Sequence, residues 1–353
     1  MLKIFGKKIS KKSFFITLFV ILAFAIGAFF GFDIFKQTVL NRIDLSDVAV
    51  LGNIGNDINK FSNDVNSNIS SNTYDDDMSV HFLSVGKADC AYIHCKDVNI
   101  LIDAADKDAN NFVVEYLKRQ NLEKLDMVVM SHPHRDHIGQ MASVIKEFEV
   151  DKFIDVDLPK SIIPTTWTYE KMLKALIDKQ IPVESVSAGK NFELGDLKID
   201  ILGPVRINRD NMNDNSIVMK VTYKDVSFLF TGDATKTEEN DIIKHYGLYN
   251  SKRKKMNKLK NEANLQNVLK ADVLKVGHHG SNSSSTERFL KLVKPEYAVV
   301  STASRESMGL PPGWRWDALE RLQECCDKVY KTYESGNVIF LTDGKDIKVE
   351  TEK

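Results

Sequence analysis

The chain has 353 residues, 43% of them apolar and 27% charged, which excludes a disordered or fibrous protein and allows one large core or two smaller ones. Lys and Arg number 48 against 49 Asp and Glu, so the formal net charge of −1 excludes a global pull toward nucleic acid or anionic lipid. Any such attraction has to be local.

The first predicted element is an apolar run. Phe14 to Phe32 is 19 residues without a charge, preceded by Lys3, Lys7, Lys8, Lys11 and Lys12. A helix of that length reaches roughly 28 Å, close to the hydrocarbon thickness of a bilayer. A cleaved secretory signal shares the basic front, but its apolar part is about 7–15 residues and ends at small residues. Here Phe29, Phe30, Phe32 and Phe35 crowd that region. Residues 1–40 therefore read as a basic cytoplasmic tip and one transmembrane helix, an anchor in the cell membrane. The positive-inside rule then makes the protein single-pass, with everything after the anchor extracytoplasmic. Residues 41–77, rich in Asn, Asp and Ser and without sustained periodicity, read as a solvated spacer, and 78–353 as the folded domain.

From Met78 the pattern changes to short apolar runs, SVHFLSV, CAYIHC, VNILIDA and LDMVVMS, each of strand length and bounded by Gly, Asp or Lys. Cys90 and Cys95 fall on opposite faces of one such strand, and Cys325 and Cys326 are adjacent. All four read as small core residues, with a bridge between the two groups as the alternative in an oxidising compartment. Helical spacing appears in NNFVVEYLKRQN and again at Ile138, Met141, Ile145 and Phe148. Farther on the pattern predicts helices near 168–179, 236–246, 286–293 and 316–327, interleaved with strands in LKIDILG, SIVMKVTY, VSFLFTGD, YAVVSTAS and NVIFLTDGKDIKVE. Frequent hairpins among alternating strands and helices predict an α/β domain with a mixed sheet and helices outside it. The stretch from 250 to 266 carries six Lys or Arg in ten positions, a solvated face on one reading and a phosphate-binding patch on the other.

The chemistry concentrates in HPHRDH, which follows the strand LDMVVMS and leads into a helix. His132 and His134 are two apart, so on extended chain both project to one side and can hold one ion. Asp136 and His137 begin the next turn and can face a second. Imidazole nitrogen with carboxylate oxygen suits Zn²⁺, and Mn²⁺ or Fe is also accommodated. One segment cannot close such a centre, so partners are expected at other strand ends. FLFTGDA offers Asp233 as a bridging carboxylate, and LKVGHHGS offers His278 or His279.

HPHRDH, the earlier ILIDAAD, and the later TGD and GHHGS together resemble the metallo-β-lactamase fold. Their order and wording are similar to the hydrolase domain of ComEC-type DNA-uptake proteins. VHFLSVGKADCAYI is similar to the family's VGQGDA opening, and the likeness runs to VYKTYESGNVIFLTDG, covering nearly all of residues 78 to 350. It implies an αββα sandwich of two mixed β-sheets with two divalent metal ions, Zn or Mn, at the shared edge. By this resemblance His132 and His134 bind one metal, Asp136 and His137 the other, and Asp233 bridges. His278 completes the second site, with His279 beside it as the alternative. Asp103 matches an acidic motif that orients ligands, or is a simple turn carboxylate. Two departures stand out. Where many members of the fold have a further histidine, NMNDNSIVM offers Asn213, Asp214, Asn215 and Ser216, as ComEC-like domains also do. Leu310 stands where the ComEC tail commonly has a histidine.

Metal-bound water loses a proton near pH 7, so the expected activity is hydrolysis by metal-bound hydroxide, with Asp136 orienting it and no side-chain nucleophile. Asn215, His279 and Ser281 are candidate contacts to the substrate's anionic oxygens. The resemblance points to a phosphodiester, DNA first, with a cell-wall polymer such as phosphocholine-bearing teichoic acid as the alternative. A non-catalytic metal-binding module is the reading from a different class. A single span cannot form a multi-span pore, so the chain is not expected to be a transporter.

Overall fold

A computed structural model describes residues 77–107, 111–248, 265–304, 307 and 317–353, together with the backbone of a short antiparallel pair, Leu2–Ile4 against Lys7–Ile9. The expected span at 14–32, the spacer other than Asp77, most of the basic stretch and Leu310 lie outside the described residues. Among the described residues no helix is long and apolar enough to cross a membrane. The chain divides into two compact units, Met1–Thr73 and Tyr74–Lys353, and the site lies in the second.

In chain order the strands of the two main sheets are β1 (Met78–Phe82), β2 (Ala91–Cys95), β3 (Val98–Ile102), β4 (Met127–Val129), β5 (Phe153–Asp155), β6 (Val183–Ser185), β7 (Asn191–Leu194) and β8 (Leu197–Gly203). They continue as β9 (Val218–Tyr223), β10 (Val226–Phe230), β11 (Val273–Lys275), β12 (Tyr297–Val300), β13 (Lys328–Lys331), β14 (Val338–Thr342) and β15 (Ile347–Thr351). The first sheet runs β6-β5-β4-β3-β2-β1-β14-β15 and the second β7-β8-β9-β10-β11-β12-β13. Pairing is parallel from β6 to β3 and antiparallel from there to β15. In the second sheet it is antiparallel from β7 to β10 and parallel from there to β13. Both sheets are mixed, as the combination of hairpins and crossovers predicts.

The period-2 alternation of the strands sorts their side chains into layers. Ile100 and Ile102 on β3 and Phe228 and Phe230 on β10 meet in the core between the sheets. Their neighbours point outward, Leu101 to helices packed on the first sheet and Leu229 to helices packed on the second. Aromatic rings lock the central layer: Phe82 stacks on Phe230 at 5.7 Å and meets Phe340 edge-on at 5.7 Å. Truncating any of these rings to Ala should cost about 3–5 kcal/mol.

Helices Phe112–Arg119, Met141–Glu147 and Trp167–Lys179 cover the first sheet, and Lys236–Leu248, Glu287–Val293 and Asp317–Cys325 the second. Trp167–Lys179 begins where the Thr166 hydroxyl accepts from the Tyr169 N–H, buries Tyr169, Met172, Ala175 and Leu176, and stops at Gln180 in the left-handed region. The helices predicted in NNFVVEYLKRQN and near 168–179, 236–246, 286–293 and 316–327 match these within two residues at each end, whereas the spacing from Ile138 to Phe148 runs across a break, with Ile138 ending one short helix and Met141 opening the next. All four cysteines are free thiols, so the alternative of a bridge between the two groups is not formed. Cys90 packs in the outer layer and Cys95 in the central one, on opposite faces as their spacing requires.

Candidate metal centre

Strands β3 and β4 of one sheet and β10 and β11 of the other deliver their C-terminal ends to a common edge, and each ends in a polar loop. β4 is followed by Ser131 and His132, Pro133 then interrupts the chain, and His134 lies extended at φ −74° before the short helix Arg135–Ile138. That helix presents Asp136 and His137. β10 is followed by Asp233, β11 by His278 and His279, and β3 by Asp103. Gly232, at φ +49°, keeps the Asp233 loop close, because a Cβ there would come within 2.9 Å of Ser216 and 3.0 Å of Ser131.

His132 Nε2 lies 2.9 Å from His134 Nδ1, so the two-residue spacing does bring both rings to one side. His132 Nε2 also faces Asp233 Oδ2 at 3.8 Å, while its Nδ1 is backed by the hydroxyls of Ser131 and Ser216 at 3.2 and 3.4 Å. His137 Nδ1 is 2.8 Å from Asp103 Oδ2, leaving Nε2 turned to Asp233 Oδ1 at 3.3 Å. Asp103 is more than a turn carboxylate: it also accepts from the Ser131 N–H and hydroxyl, both at 2.7 Å, and so fixes both the HPHRDH loop and the His137 ring.

His279, buried, has Nδ1 2.9 Å from the Ser301 carbonyl and Nε2 3.4 Å from Asp136 Oδ2 and 3.6 Å from Asp233 Oδ1. His278, a quarter exposed, reaches Asp233 Oδ2 at 3.8 Å. Ser281 bonds its neighbour Ser283 at 3.0 Å at the rim. Asn215 is closed to solvent, and its amide is spent on the Asn208 backbone at 2.7 and 2.9 Å, which removes it from contact with any substrate. The side chain from that stretch that reaches the centre is Asn213, 3.3 Å from His278 Nε2.

Charge is distributed unevenly. Burial pushes His132, His134 and His278 below the ordinary imidazole range, which keeps them neutral. Burial opposes charging His137 as well, yet the Asp233 and Asp103 carboxylates raise it well above that range. Asp233 and Asp136 resist the upward pull of burial and are held low by His137 and His279. A cation entering between these groups would displace the His137 proton.

The fit to divalent cations rests on atoms left over. His137 Nε2, His279 Nε2, Asp233 Oδ1, Asn213 Oδ1 and Asp89 Oδ1 are buried without a hydrogen-bond partner. Buried polar atoms are rarely orphaned. Within 4.8 Å of one another lie the ligand atoms of His132, His137 and Asp233, and likewise those of Asp136, His137 and His279. The donors are imidazole and carboxylate, the set that suits Zn or Mn.

Three further residues reach the centre from outside the histidine and aspartate motifs. Asp89, in the opening VGKADC, and Lys275, ending β11, form an ion pair, both 4% exposed. Lys275 also donates to the Gly232 carbonyl at 3.2 Å, tying Asp89 to the Asp233 loop. Asn213 is the third. A buried Lys two residues before GHHG was the available clue, since a lysine rarely ends an otherwise apolar strand.

The sequence matches the family described as Metallo-beta-lactamase superfamily over residues 84–304. Among curated proteins it is 26% identical over 228 residues to ComE operon protein 3 of Bacillus subtilis, covering 65% of this chain and 26% of that one. It is 26% identical over 226 residues to Recombination protein 2 of Haemophilus influenzae, covering 64% and 23%. To Competence protein ComA of Neisseria gonorrhoeae it is 27% identical over 196 residues, covering 55% and 22%. The alignments thus span about a quarter of each of these relatives.

Proposed function

From a chain that belongs to the metallo-beta-lactamase superfamily and is similar to competence proteins, we infer a metal-dependent phosphodiesterase of nuclease type, held outside the cytoplasm by an N-terminal anchor. The observation that carries the hydrolase reading is the convergence of orphaned imidazole and carboxylate atoms on Asp233. His132, His134, Asp136, His137, Asp233 and the GHHG histidines would hold two divalent ions there. Such a pair supplies Lewis acidity toward a phosphoryl oxygen and hydroxide at neutral pH.

The protein's own groups do the positioning. Asp103 and the Ser301 carbonyl hold the Nδ1 atoms of His137 and His279, which aims both Nε2 atoms inward. Asp136 remains 30% exposed and is held anionic, so it can accept a hydrogen bond from a water at the mouth of the centre and orient it. Ser281, at the rim, is placed to contact an anionic oxygen of a bound ester. DNA is the favoured substrate because the relatives named for competence and recombination share this domain; a cell-wall phosphodiester is the competing one.

Full-length protein in detergent, loaded with Mn²⁺ or Zn²⁺, should cleave bis(p-nitrophenyl) phosphate and linear DNA, and Asp136→Ala should reduce the rate by about 10²-fold or more. RNA and teichoic acid run alongside decide the polymer. Two bound ions with no turnover on any of these would leave a metal-binding module and end the enzyme reading. For the anchor, protease added to intact cells should cut the spacer; protection would place the domain on the other side.

A further inference from the structure

Resting on that two-cation reading, we propose that the adjacent histidines of GHHG serve different ions. His279 closes the site formed by Asp136, His137 and Asp233 Oδ1, and His278 with Asn213 closes the site formed by His132, His134 and Asp233 Oδ2. The second half replaces the histidine that the stretch from 211 to 219 lacks.

The Asp233 carboxylate divides the imidazoles between its oxygens. Oδ1 faces His137 Nε2 at 3.3 Å and His279 Nε2 at 3.6 Å, whereas Oδ2 faces His132 Nε2 and His278 Nε2, both at 3.8 Å. One carboxylate with a ligand pair on each oxygen is the arrangement a bridge between two ions requires. The backbone makes the division possible. His278 (φ 49°, ψ 46°) and His279 (φ 53°, ψ 29°) are both left-handed, a conformation that costs a non-glycine residue roughly 1–2 kcal/mol. Two such residues in succession persist because the surrounding structure holds them, and the result is two neighbouring rings aimed at opposite oxygens of one side chain.

His278 also has the support a ligand needs. Its Nδ1 is 2.9 Å from the Ser283 hydroxyl, which leaves Nε2 inward, the same division of labour seen in His137 and His279. No other group of the 213–216 stretch can complete the first site. Asp214 accepts from the Thr235 N–H and hydroxyl at 3.1 and 2.6 Å, Asn215 is tied to Asn208, and the Ser216 hydroxyl accepts from the Asp233 N–H at 3.0 Å. Asn213 alone points in, its Nδ2 3.3 Å from His278 Nε2 and its Oδ1 buried and unpartnered. Turning its amide over would present that oxygen to the same point. The two sites therefore differ: His137 and His279 are sealed, at 0% and 1% exposure, while His278 is 26% exposed. The ion on the His278 side should bind second and leave first.

The test is Mn²⁺ binding to metal-stripped, full-length protein by calorimetry and by low-temperature electron paramagnetic resonance. Wild type should take two equivalents in two steps and show a spin-coupled pair. His278→Asn, chosen because Asn tolerates the left-handed region, should lose the weaker step and show an isolated Mn²⁺ signal. His279→Asn should lose the tighter one. Asn213→His should tighten the weaker step by about tenfold or more, and in the His278→Asn background should restore the second equivalent. His278→Asn retaining both steps unchanged, or Asn213→His leaving the weaker step untouched, overturns the assignment. Fewer than two equivalents on the wild type would instead sink the two-cation reading beneath it.

Discussion

Replacing Lys275 by Met keeps the length of the buried stem and removes its charge. Lys275 and Asp89 are each 4% exposed, and the ammonium donates to Asp89 Oδ2 and to the Gly232 carbonyl at 3.2 Å. Besides the lysine, Asp89 faces only the His137 Nδ1 at 3.7 Å and the His279 Nδ1 at 3.5 Å, its Oδ1 has no hydrogen-bond partner, and Asp103 and Asp233 share the same space. The substitution takes from a buried carboxylate its one lysine partner and leaves it beside two other carboxylates with only the His137 and His279 rings near, which costs about 3–5 kcal/mol. Against a domain stability of about 5–15 kcal/mol that is a large fraction, and for a domain of this size it lowers Tm by about 6–20 °C. Asp89→Asn in the same chain removes the stranded charge, so the double variant should recover to within about 1 kcal/mol of wild type. Divalent cations at the centre supply positive charge nearby, so the penalty of the single variant should shrink when metal is present. Thermal and urea unfolding followed by circular dichroism, with chelator and with Mn²⁺, measures all of this. A single-variant cost below about 1 kcal/mol, or a double variant no more stable than Lys275→Met, refutes the account.

Two further outcomes are expected. Burial pushes His81 down to about 3, where it sits neutral between the Tyr116 hydroxyl at 2.6 Å and Ser79 at 2.8 Å. The unfolded chain takes up a proton below about pH 6.5 and the folded one does not, so the stability His81 contributes is complete above that pH and lost as pH falls toward 3, at about 1.4 kcal/mol per unit. Between pH 6.5 and 4.5 His81→Gln should flatten the stability curve by about 2–3 kcal/mol, and an unaltered slope would show the ring is not the titrating group. Gly139 packs against the backbone of Asp106 and Lys107, leaving no room for a Cβ. Gly139→Ala should push away the loop that begins at Asp103, lower Tm and weaken metal binding together; wild-type values for both would show that the loop yields freely.

The layers were legible because they are local. Alternation in VNILIDA and VSFLF sends every second side chain to the central core, whatever the rest of the chain does, and the same pattern placed HPHRDH, TGD and GHHGS at strand ends. The two-residue spacing of His132 and His134 was enough to bring their rings within 2.9 Å. What a spacing rule cannot reach is the choice among neighbours. Asn213 and Asn215 read alike in sequence, but one turn of 3₁₀ helix from Met212 to Asn215 buries the second in its own loop and aims the first at the centre. His278 and His279 read as alternatives until two left-handed residues set them on opposite oxygens of Asp233. Asp89 and Lys275 are 186 positions apart and meet only because β2 and β11 lie in different sheets that share an edge. Periodicity is a property of neighbouring residues and survives in the sequence; a buried charge pair or a shared carboxylate depends on where loops from separate strands converge, and packing of the two sheets decides that.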